Sequence, residues 1–143
     1  MKIDNYAPSP VEWVRNQVDR ILATGTTEGV LIMDRPVVLV SIRGRRSGVQ
    51  RLVPVMRVEH DGTYAVVGSK GGAPTDPQWV RNLRAHPLVE LQDGTTTTRR
   101  RARELQGDER STWWDRCVAA FPPYAEYQTK TDRVIPVFVL DAA

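Results

Sequence analysis

Pro36-Val37-Val38-Leu39-Val40-Ser41-Ile42-Arg43-Gly44-Arg45-Arg46-Ser47-Gly48 is the stretch that decides how this chain folds. Val37 to Ile42 is an apolar run rich in β-branched side chains, interrupted only by Ser41, which reads as a buried strand. The basic turn that follows has a glycine at each end, as a tight turn requires. A second strand is predicted at about Arg51–Val58. His60-Asp61-Gly62-Thr63 then reverses the chain through Asp-Gly into a third strand, Tyr64–Gly68. Leu88–Gln92 and Thr95–Glu104 make a further hairpin across Asp93-Gly94, and Val134–Leu140 is the last strand. Pro136 predicts an edge position for it, since proline cannot donate to a ladder.

Helices punctuate these strands. Ser9-Pro10-Val11-Glu12 reads as a start, with Ser9 as cap, Pro10 at the first helical position and Glu12 completing a capping box. Val11, Val14, Val18, Ile21 and Leu22 recur at helical spacing, and Gly25 marks the end. Asp76-Pro77 opens a second helix with Asp76 as cap, carrying Trp79, Val80, Asn82 and Leu83 and stopping by Pro87. Asp108 is expected to cap a third, ending at Phe121 before a Pro-Pro-Tyr loop. The order α, three strands, α, two strands, α, strand predicts an α+β fold. Its sheet is mostly antiparallel and closes on itself, with about three flanking helices. A doubly wound nucleotide-binding fold does not suit this order. The whole of 1–143 reads as a single domain, with a helix at about 9–24 and a barrel core at about 36–141.

With 143 residues, 41% hydrophobic and 26% charged, the composition is globular. A chain of this size buries roughly 70% of its unfolded surface and needs no disulfide. The single Cys117 lies in the helical pattern Trp114, Cys117, Val118, Phe121 and reads as a buried core residue. One cysteine, no apolar run near 18 residues and a start without an apolar signal region predict a cytoplasmic chain with no membrane span. Peripheral contact with a membrane surface and a homodimer are both compatible with the sequence.

Hydrolytic and metal chemistry find little support. His60 and His86 both sit at element ends, no cluster has metal-ligand spacing, and neither a nucleophile elbow nor a P-loop occurs. What remains is a binding constellation. Net charge is only +3, yet Arg43, Arg45, Arg46 and Arg51 crowd one stretch and Arg99, Arg100, Arg101 and Arg103 another. Guanidinium forks match phosphate and carboxylate oxygens in pairs. Ser69-Lys70-Gly71-Gly72 adds a cation on a loop whose glycines let a ligand approach closely. Arg45, Arg46, Arg51 and Lys70 are expected along one groove that takes a small anion-bearing molecule. The Arg99–Arg101 run reads as a solvated edge strand, its charges guarding against aggregation.

From Pro36 to Val139 the chain resembles the deazaflavin-dependent nitroreductase family, the F420-dependent reductases of the split β-barrel type. The resemblance rests on Gly44-Arg45-Arg46-Ser47-Gly48, Arg51 with Pro54, Gly68-Ser69-Lys70-Gly71-Gly72, Pro77-x-Trp79-x-x-Asn82-Leu83, and His86-Pro87. It extends through Tyr124-x-x-Tyr127-Gln128-x-x-Thr131-Asp132-Arg133-x-Ile135-Pro136-Val137. Tyr6-Ala7-Pro8-Ser9-Pro10 resembles the branch that also reduces aflatoxin-like and coumarin-like lactones.

The resemblance implies coenzyme F420, whose phosphate and poly-glutamate tail account for the cations. By it, Arg45, Arg46, Ser47 and Arg51 would hold phosphate and tail, with Lys70 assisting. Leu52, Val53 and Pro54 would line the ring's approach, and Val67, Gly68 and Ser69 would face the ring. Gln78, Trp79, Val80, Arg81 and Asn82 would close the opposite side, and Tyr127 would lie near ring and substrate.

The implied reaction is hydride transfer from the reduced deazaflavin to a planar, electron-poor acceptor: a quinone, an enone lactone or a nitro compound. Tyr127, Tyr124 and Ser69 are the candidate catalytic side chains, with the proton coming from Tyr127, Ser69 or water. Two departures fall on the substrate side. Met56 stands where several relatives carry tyrosine, and Lys130 takes the last aromatic position of the tyrosine loop. The alternatives are a small nucleic-acid-binding barrel and a split barrel using FMN. The first calls for aromatics interleaved on basic strands. Trp13, Trp79, Trp113, Trp114, Tyr124 and Tyr127 instead lie mostly on helices and one loop.

Overall fold

In the computed structural model, which describes residues 6–143, Val37–Ile42 is buried at every position. It lies within β2 (Arg35–Arg43), preceded by α1 (Glu12–Thr24) and the two-residue β1 (Leu31–Ile32). Then come β3 (Gln50–Met56), β4 (Val58–His60), β5 (Thr63–Val67) and α2 (Gln78–Ala85). The chain finishes with β6 (Leu88–Asp93), β7 (Thr96–Glu104), α3 (Gly107–Ala120), α4 (Pro123–Thr129) and β8 (Val137–Ala142).

The strands pair antiparallel in the order β3, β2, β6, β7, β8, β5, β4, with β1 on the start of β2. β2 is buried on both faces because two separate cores use it. Val38, Val40 and Ile42 face the barrel interior with Val66, Leu91, Phe138 and Leu140, closed by Val80 and Leu83 of α2. Val37 and Leu39 lie under Val18 and Ile21 of α1. A third core packs Trp113, Cys117, Phe121 and Tyr124 against Ala65, Val67, Val137 and Val139.

The sheet curls without closing. A single residue, Arg57, joins β3 to β4, yet β3 pairs with β2 and β4 with β5. The expected single strand Arg51–Val58 is therefore two, because the chain changes ladder partner at Arg57. The barrel is split between β3 and β5, and this split positions the site.

Other expectations need correcting. β8 is central, between β5 and β7, because Pro136 lies just before the strand and its carbonyl accepts the Gly68 N–H at 2.9 Å. β7 is central too, between β6 and β8, so Arg99–Arg101 are not on an edge. The capping expectations shift as well. α1 begins after Val11, whose N–H is held by Ser9 Oγ at 3.1 Å. Pro77 and Gln106 precede α2 and α3 where Asp76 and Asp108 were expected to cap; Asp108 sits in the first turn of α3, and Asp76 pairs with arginines instead. The Pro-Pro-Tyr loop is α4, since Pro123 carries the fixed φ that suits a first helical turn. The helices thus number four among the described residues. None of them is long and apolar enough to cross a membrane.

Candidate active site

A cavity of about 940 Å³ opens where the free edge of β3 faces the exit of β5. Its basic wall is the Gly44–Gly48 turn. The Gly44 N–H donates to the Val49 carbonyl at 2.9 Å and the Gly48 N–H to the Gly44 carbonyl at 3.0 Å. A Cβ on Gly44 would lie 2.8 Å from Ser47 Oγ and 3.2 Å from the Val49 carbonyl, so a larger residue would have to turn the serine hydroxyl aside. Asn82 Oδ1 accepts the Arg45 N–H at 3.0 Å, and Arg45 Nη1 donates to Gln78 Oε1 at 3.2 Å. The buried asparagine of α2 therefore fixes the turn as well as lining the cavity.

Arg45, Arg46, Ser47 and Arg51 line this wall together. Leu52, Val53 and Pro54 form an apolar floor, both faces of β3 contributing because its edge is open. Val67, Ser69 and Lys70 supply the facing wall, and Gln78, Trp79 and Asn82 the α2 side. Tyr124, Tyr127, Phe121 and Met56 close the far end, and Ala7, Ser9, Trp13 and Met33 roof it. Among the described residues the ion pairs engage Arg57, His60, Arg84, Arg103 and Arg133, and none engages Arg45, Arg46, Arg51 or Lys70.

Three of the residues singled out from the sequence stand behind the cavity lining. Gly68 presses on α2, where a Cβ would meet Val80 Cγ2 at 2.6 Å. Val80 is fully buried in the barrel core, and Arg81 is exposed. The two tyrosines also differ. Tyr124 is only 5% exposed, and burial, reinforced by Cys117 and Tyr127, raises its phenol pKa well above the ordinary value. It serves best as an apolar ring. Tyr127 is less buried, with Lys130 Nζ 5.6 Å from its ring centroid. Burial likewise pushes the Cys117 thiol up to about 12, which suits a core residue and no nucleophile.

Reading the sequence missed two supports. Gly72 abuts α4: a Cβ there would lie 2.6 Å from the Tyr127 carbonyl, and its φ of +83° disfavours any other residue. Arg133 reaches behind the Gly68–Ala73 loop to three of its carbonyls. The motif quoted above contains Arg133, but no local pattern distinguishes it from a solvated arginine.

The lining combines cations that have no ion-pair partner among the described residues with an apolar, aromatic trough. That donor set fits a flat apolar ring joined to a chain of negative charges, and so fits F420.

Comparison with known proteins agrees. Residues 13–142 match the F420H(2)-dependent quinone reductase family. A Mycobacterium tuberculosis protein named F420H(2)-dependent quinone reductase is 32% identical over 108 residues, covering 73% of this chain and 72% of its own. Among solved structures, one described as a domain-swapped dimer is 56% identical, with TM-score 0.74, covering 93% of this chain and 100% of that one. The F420-H2 dependent reductase FDR-A is 55% identical, with TM-score 0.71, over 79% of this chain and 100% of its own. The chain therefore belongs to the F420H(2)-dependent quinone reductase family, oxidoreductases named for reduced F420 as their electron source.

Proposed function

We infer that this chain acts as one domain that binds reduced F420 and passes hydride to a planar, electron-poor acceptor, with quinones the first candidates and enone lactones and nitro compounds the others. One observation carries the reading: cations without an ion-pair partner among the described residues share one cavity with an aromatic apolar trough. When bound, F420 supplies the hydride. Arg45, Arg46, Ser47, Arg51 and Lys70 hold phosphate and tail. Leu52, Val53, Pro54, Val67, Ser69, Gln78, Trp79, Asn82 and Tyr127 enclose ring and acceptor and exclude water, while Gly68 and Val80 back that wall.

The proton comes from Tyr127 Oη, Ser69 Oγ or water, and Tyr124, buried at the far end, shapes the place of the acceptor. Met56, lining that end, and Lys130, beside Tyr127, set which acceptors enter. The domain-swapped dimer formed by the 56% identical neighbour supports a homodimer here as well.

The test is to follow oxidation of reduced F420 by absorbance with a quinone, a coumarin-like lactone and a nitroarene in parallel. Coenzyme oxidation dependent on one of these acceptors is the expected result. Failure to bind the coenzyme at micromolar concentration refutes the assignment.

A further inference from the structure

Arg133 is the arginine most involved with the cavity loop, and it does not line the cavity. It precedes β8, and its side chain is only 16% exposed. Nε donates to the Ala73 carbonyl at 2.8 Å, Nη2 to the Ser69 carbonyl at 2.8 Å, and Nη1 to the Gly68 carbonyl at 3.2 Å. Nη1 also meets Asp76 Oδ1 at 2.7 Å. Asp76 is braced in turn by Arg84 of α2 at 3.4 Å, and Arg84 is bidentate to Glu104 of β7 at 2.9 and 2.8 Å. The guanidinium thus gathers three carbonyls of one loop on the side away from the cavity.

That arrangement has a geometric consequence. In a trans peptide the N–H points opposite to the C=O. With the Gly68 and Ser69 carbonyls turned to Arg133, the N–H groups of Ser69 and Lys70 turn the other way, to the side where both residues line the cavity. Lys70 has a φ of +46°, a conformation costly for a non-glycine residue, so the loop needs an external restraint to keep it.

We propose that Arg133 is a positioning residue for the reaction: its fork, held by Asp76, fixes the Gly68–Ala73 backbone so that Ser69 faces the reacting partners at the right distance and angle. The proposal rests on the reductase reading above. Three of the four tail-binding cations, Arg45, Arg46 and Arg51, lie on the opposite wall, which Arg133 does not touch, and Lys70 alone is on the restrained loop. Displacing the loop therefore costs rate more than binding, since misplacement of about 1 Å can cost on the order of 100-fold.

The variants are Arg133→Lys, which keeps charge but loses the fork, and Asp76→Asn, which removes the fork's carboxylate. Amide hydrogen exchange of the coenzyme-free protein provides a readout independent of activity. Both variants should raise exchange in residues 69–73 while the Asp93–Gly94 hairpin stays as in the parent. In single-turnover oxidation of bound reduced F420 by a quinone, Arg133→Lys should be about 10- to 100-fold slower, with coenzyme Kd changed less than threefold. Asp76→Asn should fall between it and the parent. Parent-like exchange in the loop, or a rate loss that merely follows the folded fraction in a thermal melt, overturns the proposal. A parent protein that oxidises no reduced F420 sinks the reductase reading instead, and the exchange data still decide the loop restraint.

Discussion

The chain carries two arginine clusters of similar composition, and their surroundings set them apart. Around Gly44–Arg51 the cations point into or beside the cavity, and among the described residues none has a carboxylate partner. On β7 the fold has answered two of the four charges. Arg103 sits between Glu109 at 2.6 Å and Asp141 at 3.0 Å. Arg100 turns inward, donating to the Gly62 carbonyl at 2.8 Å and lying 5.1 Å from the Tyr64 ring centroid. Arg99 and Arg101 stand opposite Glu90 and Asp141 in the ladder. Density of arginine in a sequence therefore does not mark a site. An arginine that the fold leaves without an acid and also sets on a cavity is the informative one, because its charge awaits a ligand.

The largest effect expected from this contrast is at the turn. Replacing Arg45 and Arg46 together by alanine should weaken F420 binding on the order of 100-fold, since each charge-assisted hydrogen bond contributes about 1.5–3 kcal/mol and exposure reduces that. The slope of affinity against salt should also flatten, while the melting temperature stays put. Titration of the coenzyme at low and high salt measures both. A parent-like affinity moves the tail to another surface.

A smaller effect is expected at Arg103. Its hydrogen bond to Glu109 lowers that carboxyl's pKa below the ordinary value. A lowered folded-state pKa means the contribution is complete above the ordinary glutamate range and disappears as pH falls through it and down to the folded value. Arg103→Ala should flatten the loss of melting temperature below about pH 4.5 and leave coenzyme affinity alone. A loss of affinity here ends the division between paired and unpaired arginines.

Much of this was legible in the sequence. The β2 run, the Asp-Gly hairpins and the glycine-bracketed turn are local signals, and the structure brings the basic turn, Ser69 and Lys70 to one cavity, as those signals led one to expect. The remaining strand pairing was not local: Pro136 and the arginines of β7 read as edge features, yet β8 sits between β7 and β5, pairings that join strands far apart in the chain. Neighbouring helix positions were equally opaque. Trp79 and Val80 point about 100° apart, so one lines the cavity while the other enters the barrel core. Arg133 stayed hidden because its carbonyl partners lie 60 to 65 positions away in the chain.

The smallest expected effect is at Arg99 and Arg101. Both are exposed on the outer face of β7, and neither lines the cavity. The double alanine variant should keep its coenzyme affinity at physiological salt and change stability by no more than about 0.5 kcal/mol, as surface substitutions do. This is the sharper half of the contrast, because it separates contact from field. Charges more than a Debye length apart, about 8 Å at physiological salt, contribute little to an equilibrium measured there. If the affinity of the double variant falls only when salt is lowered, the β7 arginines act through the long-range potential that steers an anion inward. A fall that survives at high salt means the tail touches β7 directly, and the two clusters then form one site.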